Sequence, residues 1–136
     1  MPEPFVTTQR LRFCDTDQIG HINNSTYSVL YEAGRVELVQ ALGLMTGKLT
    51  VVIVRLEIDF LREMNWPGEV RIDTAVARVG GKSMHMRQQL LLGGEVVSRS
   101  RSVLAIIDPA TRRAVEIPPG WRDALAQHTV ADESTT

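Results

Sequence analysis

The sequence predicts an α+β domain in which a curved antiparallel sheet wraps one long helix. Three observations carry this expectation. Apolar residues recur with a helical period between residues 27 and 42, strand-type alternation lies on both sides of that stretch, and the pairs Gly80-Gly81 and Gly93-Gly94 stand at hairpin spacing between the later alternating runs. One strand, one helix and then a series of hairpin-linked strands is the order of an α+β chain rather than of an alternating α/β one.

The first strand is read over residues 5–14, with Leu11 and Phe13 turned inward against Arg10 and Arg12. The helix follows Asn24. Tyr27, Leu30, Tyr31, Gly34, Leu38, Val39 and Leu42 share one face, while Ser28, Glu32, Arg35 and Gln40 fall on the other. Asn23 or Asn24 can cap its first amides, and Gly43 stands where a left-handed residue ends a helix. In the next strand Val52, Val54, Leu56, Ile58 and Phe60 alternate with Ile53, Arg55, Glu57 and Asp59. Residues 65–68, NWPG, form a turn, and strands are expected over 70–79, 83–92 and 96–107, closed by Asp108-Pro109. A short helix is expected over 118–127. With no repeat or linker, residues 1–128 read as one domain and 129–136 as a flexible tail. A curved sheet around one helix leaves an edge and a face exposed, which favours a second copy, so a homodimer or homotetramer is expected.

Composition narrows the classes of function. The 136 residues suffice for a core without disulfides or metals, and one cysteine, Cys14, excludes an intrachain disulfide. Fifteen Lys and Arg against sixteen Asp and Glu leave a net charge of −1, without the broad positive field of a nucleic-acid binder. No leader pattern and no long apolar run is present, so a cytoplasmic protein without membrane association is expected.

The chemistry is concentrated in residues 15–24, DTDQIGHINN. Asp17 lies just upstream of a helix N-terminus, whose unpaired amides and partial positive charge suit a developing oxyanion. A carboxylate beside such a site can attack a carbonyl or deprotonate a water that does so, and a thioester needs no stronger nucleophile. The plainer alternative is that Asp15 and Asp17 hold the loop by side chain to backbone bonds. His21 is suited to general-base or metal work, but His85, His128 and Cys14 do not stand at supporting spacing. It is read as ordering the loop or lining a pocket, with no metal. Arg78, Lys82 and Arg87 flank the first glycine hairpin and are the cations chosen for phosphate contact. Arg99 and Arg101 share a strand face and can pair with Glu57 and Asp59. Met84 and Met86, with Met45 and Met64, suit either core packing or an adaptable acyl tunnel.

The run DTDQIGHINNSTYSVLYEAGR resembles the signature of the 4-hydroxybenzoyl-CoA thioesterase-like branch of hotdog-fold acyl-CoA thioesterases, D-x-D-x-x-G-H-x-N-N-x-x-Y followed by an aromatic, Glu and Arg. FLREMNWPGEV and ARVGGKSM fall where that family has its second strand and first hairpin, so the resemblance covers about residues 5–117. It implies a hotdog fold and hydrolysis of acyl-CoA to a carboxylic acid and CoA, with no cofactor beyond the CoA of the substrate. By the same resemblance the catalytic carboxylate is Asp17 rather than Asp15, and the backbone amide near Asn24 polarises the thioester carbonyl. Asn23, His21 and Tyr27 are assigned to the substrate site. The alternatives are a hotdog protein that binds a thioester without cleaving it and, because Asp17-x-x-x-His21 imitates one hydratase spacing, an enoyl-CoA hydratase.

Overall fold

The computed structural model describes residues 3–130. Strand β1 (Phe5–Arg10) is followed by helix α1 (Asn24–Ala41), strands β2 (Thr50–Phe60), β3 (Glu69–Val79), β4 (Ser83–Leu92) and β5 (Glu95–Asp108), the two-residue strand β6 (Arg113–Ala114) and helix α2 (Pro119–Ala126). All strand pairs are antiparallel, in the order β1-β3-β4-β5-β2, with β6 added on β5. Strand β2 is thus an edge although it directly follows the helix. The hairpins at Gly80-Gly81 and Gly93-Gly94 join β3 to β4 and β4 to β5 as the glycine pairs predict, with both residues of the second pair at positive φ.

Helix α1 begins as its sequence dictates. The Asn23 side-chain oxygen accepts from the Ser25 amide, and the helix ends against Gly43 at φ +73°. Its buried face rests on the sheet at Gly34, where a Cβ would lie 2.7 Å from Thr74 Oγ1 and 2.8 Å from Ile72 Cγ2. Only glycine lets the helix approach β3 this closely. Two apolar clusters fill the interior. One gathers Leu38, Val76, Met84, Met86, Leu104 and Trp121, and the other Leu11, Tyr27, Leu30, Met64, Ile72 and Leu90. Between them runs a polar layer in which Gln88 Nε2 donates to the Tyr31 carbonyl and to Thr74 Oγ1, both at 2.9 Å, and Tyr31 Oη donates to Ser98 Oγ at 2.7 Å. Burial pushes the Tyr31 phenol up to about 12.

Four expectations are corrected. The first strand ends at Arg10, not residue 14: Leu11 is buried, but the chain then enters a single 3-10 turn, Phe13–Asp15, which leaves Phe13 71% exposed. Arg35, expected on the solvent side of α1, is buried. The alternation in β2 breaks at a bulge between Ile53 and Arg55, so that Val51 and Ile53 stand opposite Ile106 and Leu104 on the inner face, while Leu56, Ile58 and Phe60 continue that face beyond it. The methionines divide between the two clusters, Met64 in one and Met84 with Met86 in the other, and Met45 is exposed, so the four do not line one tunnel. Of the segment expected as a tail, Val130 and Val76 are tied by a backbone bond of 2.8 Å, and residues 131–136 lie outside the described residues. Among the described residues no helix is long and apolar enough to cross a membrane.

Candidate active site

The loop between β1 and α1 folds back on itself. The Asn23 amide donates to the Asp15 carbonyl at 2.8 Å, Thr16 bridges Ile22, and the Asp17 amide donates to the His21 carbonyl at 2.8 Å. Asp17 therefore stands near the tip of a small hairpin whose base is the helix N-terminus. The Ile22 amide ties the loop to the Met64 carbonyl at 2.7 Å, beyond the end of β2.

The two carboxylates in this loop have different surroundings. Asp15 is buried, and Arg12 meets it three times, through the backbone amide at 3.0 Å, Nε at 3.2 Å and NH2 at 2.8 Å. These bonds hold the Asp15 carboxyl below the usual carboxylate range against the opposing effect of burial. Asp17 is exposed. Its Oδ1 accepts from the amides of Ile19 at 3.0 Å and His21 at 3.1 Å, while no described donor reaches Oδ2. One oxygen is fixed by the loop and the other is open to a reactant.

At the helix N-terminus, Asn23 Oδ1 takes the Ser25 amide at 3.0 Å and the Asn23 carbonyl takes the Thr26 amide at 2.9 Å. The Asn24 amide is left without an acceptor among the described residues, and Asn24 is exposed. It is a free donor at the positive end of the helix dipole. Asn23, offered by the sequence as a cap and assigned by the resemblance to the substrate site, caps the helix through its side chain.

His21 lies on the same loop with its Nε2 3.1 Å from Glu63 Oε2 and its ring partly covered. Tyr27 lies on the buried face of α1, as the helical period predicts. It is 2% exposed, its hydroxyl donates to the Arg62 carbonyl at 3.2 Å, and its ring meets Phe60 edge-on at 4.9 Å. Burial raises its phenol above the ordinary range. Tyr27 thus packs beneath the site, where its hydroxyl is already bonded. An exposed aromatic pair, Phe13 and Trp66 at 5.3 Å, flanks the loop.

The three chosen cations are not brought to Asp17 within one chain. The loop is joined to the beginning of β3, since the Leu11 amide bonds the Gly68 carbonyl, whereas Arg78 and Lys82 lie exposed at the far end of that strand. Eleven residues of β3 separate the two ends by about 33 Å at strand rise. Arg87 stands on the outer sheet face, opposite Ala75 and Arg101. That face also places Glu57 opposite Arg101 and Asp59 opposite Arg99, the pairing expected from pleating. Among the described residues no three His, Cys, Asp or Glu side chains gather as metal ligands would. The participants missed by sequence are Arg12, signalled only by its three-residue spacing to Asp15, and Glu63, which nothing local connects to His21.

An antiparallel sheet wrapped on one helix, with an exposed carboxylate beside the helix N-terminus, defines a hotdog domain of the thioesterase type. The chain belongs to the thioesterase-like superfamily, whose model matches residues 11–125. It is similar to the solved structure of a predicted thioesterase from Bacillus stearothermophilus, with 32% identity, a TM-score of 0.87, and coverage of 93% of this chain and 97% of that one. A hypothetical protein of Staphylococcus aureus in complex with CoA shares the fold, with a TM-score of 0.87 at 16% identity over 96% of this chain and 89% of that one. Among curated proteins the uncharacterized YsmA of Bacillus subtilis is 32% identical over 82 residues, which span 59% of this chain and 56% of that relative.

Proposed function

We propose that this protein hydrolyses an acyl-CoA thioester to a carboxylic acid and CoA, with Asp17 as the reacting carboxylate and the Asn24 amide as the oxyanion donor. The observation that supports this most is the combination of an open Asp17 Oδ2 with an open Asn24 amide on one short loop, in a chain of the thioesterase-like superfamily. In the general-base form, Asp17 takes a proton from water as its oxygen adds to the thioester carbon, and the carbonyl oxygen gains charge against the Asn24 amide. Collapse of that intermediate breaks the carbon–sulfur bond, and the thiolate leaves with the proton that Asp17 held. In the nucleophilic form Asp17 Oδ2 adds to the thioester carbon, and the carbon–sulfur bond breaks to release CoA as its thiolate. Water then hydrolyses the mixed anhydride, giving the carboxylic acid, the free Asp17 carboxylate and the proton that the thiolate takes up.

The phosphates of CoA call for cations, and those chosen at the first glycine hairpin are not brought to Asp17 within one chain. Strand β2 is an unpaired edge with Ile53, Val54 and Phe60 exposed. Pairing two copies antiparallel along β2 sets the Asp17 end of one level with the β3–β4 hairpin of the other, because Ser83 is in register with Ala105 and Ala105 with Val52. Arg78 and Lys82 of the second copy then approach the thioester of the first. The resulting protein is a homodimer, or a tetramer of two such pairs, acting in the cytoplasm.

A second reading has one observation in its favour: the two amides on Asp17 Oδ1 give this carboxylate a structural task sufficient in itself. On that reading the domain holds a thioester without cleaving it. Thiol release measured across short, long and aromatic acyl-CoAs, with an acyl carrier-protein thioester included, separates the two. Release supports the hydrolase, and tight binding without release supports the binder.

A further inference from the structure

Arg35 is a cation inside the protein, 7% exposed, on the face of α1 that packs on the sheet. Its NH1 donates to Gln88 Oε1 at 3.1 Å, and Gln88 is held in turn by Tyr31 and Thr74. A guanidinium carries five N–H donors, and among the described residues no other acceptor and no ion-pairing carboxylate meets this one. Charged side chains so deeply covered are ordinarily paired. Glu32, one turn earlier and exposed, is near enough for its field to favour the charged form, but burial acts against that form more strongly.

Arg35 forms part of the wall of a cavity of about 520 Å³ between α1 and the β2 edge, a size that takes a small ligand. The rest of the wall is largely apolar, with Val39, Leu44, Met86, Leu104 and Trp121, and Glu32 is the carboxylate that also lines it. Arg35 is about 16 Å along the helix from Asn24 of the same chain, and the antiparallel β2 pairing proposed above sets the cavity, through Val51 and Ile53, level with the Asp17 end of the second copy.

We propose that this cavity binds the carboxylate of an apolar carboxylic acid, the carboxylate paired with the guanidinium of Arg35 and the hydrocarbon laid against Val39, Leu44, Met86, Leu104 and Trp121. The planar fork of arginine matches a carboxylate with two parallel bonds, and a largely apolar wall beside it strengthens the pair. An alcohol offers one neutral oxygen, so it meets at most part of the fork and leaves the charge without a counter-ion. The inference does not rest on the hydrolase reading. The carboxylate has two possible sources, a free acid or the distal carboxylate of an acyl group whose other end is a thioester.

Calorimetric titration of the full chain with octanoate and with octan-1-ol tests the charge requirement. Octanoate is expected to bind at least about tenfold more tightly than the alcohol. Arg35→Met, which removes the charge and keeps the length, is expected to bring the two within about twofold while the alcohol still binds. Arg35→Lys keeps the charge but loses the fork, and is expected to fall between them, which keeps the test decisive if the methionine variant does not fold. Equal binding of octanoate and octanol by the native protein, no octanoate binding, or a preference that survives Arg35→Met would overturn the proposal. A comparison of suberoyl-CoA with octanoyl-CoA identifies the source. An Arg35-dependent preference for the former assigns the site to a distal carboxylate, and equal affinity assigns it to the free acid.

Discussion

Asp15 and Asp17 are two residues apart and chemically identical, yet the loop gives them opposite tasks. Asp15 is enclosed and bonded by Arg12, whereas Asp17 has one oxygen held by the loop and one that no described donor reaches. Asp15→Asn is expected to lower the unfolding temperature at pH 7 with far less loss of activity than a change at Asp17. The sign with pH follows from the lowered Asp15 carboxyl. Its stabilisation is complete above the ordinary carboxylate range and is lost as pH falls through its own lower value. Thermal unfolding of native and Asp15→Asn proteins should therefore converge in strong acid. Much of this was legible in the sequence, because the spacing of the acids before a capped helix already separates a loop from a strand. The assignment of Asp17 over Asp15 came from family resemblance. The depth of Arg35 was not legible, since helical periodicity places a long side chain on the border of a stripe and only the sheet beneath decides which way it points.

At the level of elements, α1 and β2 do most of the positioning. The close seat of the helix depends on Gly34, and Gly34→Ala sets a methyl within 2.9 Å of Thr74, Ile72 and Gln88 side chains. The intrinsic gain of alanine in a helix, about 1 kcal/mol, is smaller than the overpacking penalty it meets. A net loss of about 1–3 kcal/mol is expected, read as a lower urea midpoint with an unchanged slope. The extent of the helix was readable, from a cap at Asn23 or Asn24 to Gly43, because capping and periodicity are local. Strand β2 was readable as a strand but not in its facing. A bulge at Val54 costs no change in composition, yet it exchanges which side chains point inward, and that depends on the register with β5. The short strand β6 and the polar layer around Gln88 likewise exist only through contacts between distant segments.

For the whole molecule, the distance between Asp17 and the hairpin cations makes assembly part of the proposed activity. The exposed Ile53 and Val54 on the β2 edge lie where a second copy would pair. Charging both, Ile53→Lys with Val54→Lys, is expected to convert a dimer or tetramer to monomer in analytical ultracentrifugation and to remove hydrolysis with it. The fold class follows from element order alone, whereas which strands form the edges follows from the strand order, with β1 beyond β3 at one end and β2 beyond β5 at the other. The central claim is that Asp17 is the reacting carboxylate, and Asp17→Asn tests it most directly, because asparagine keeps an oxygen for the Ile19 and His21 amides. Thiol release by this variant should fall by about 10²–10⁴ in kcat/KM, with unfolding temperature and sedimentation unchanged. Turnover close to that of the native protein would contradict the assignment.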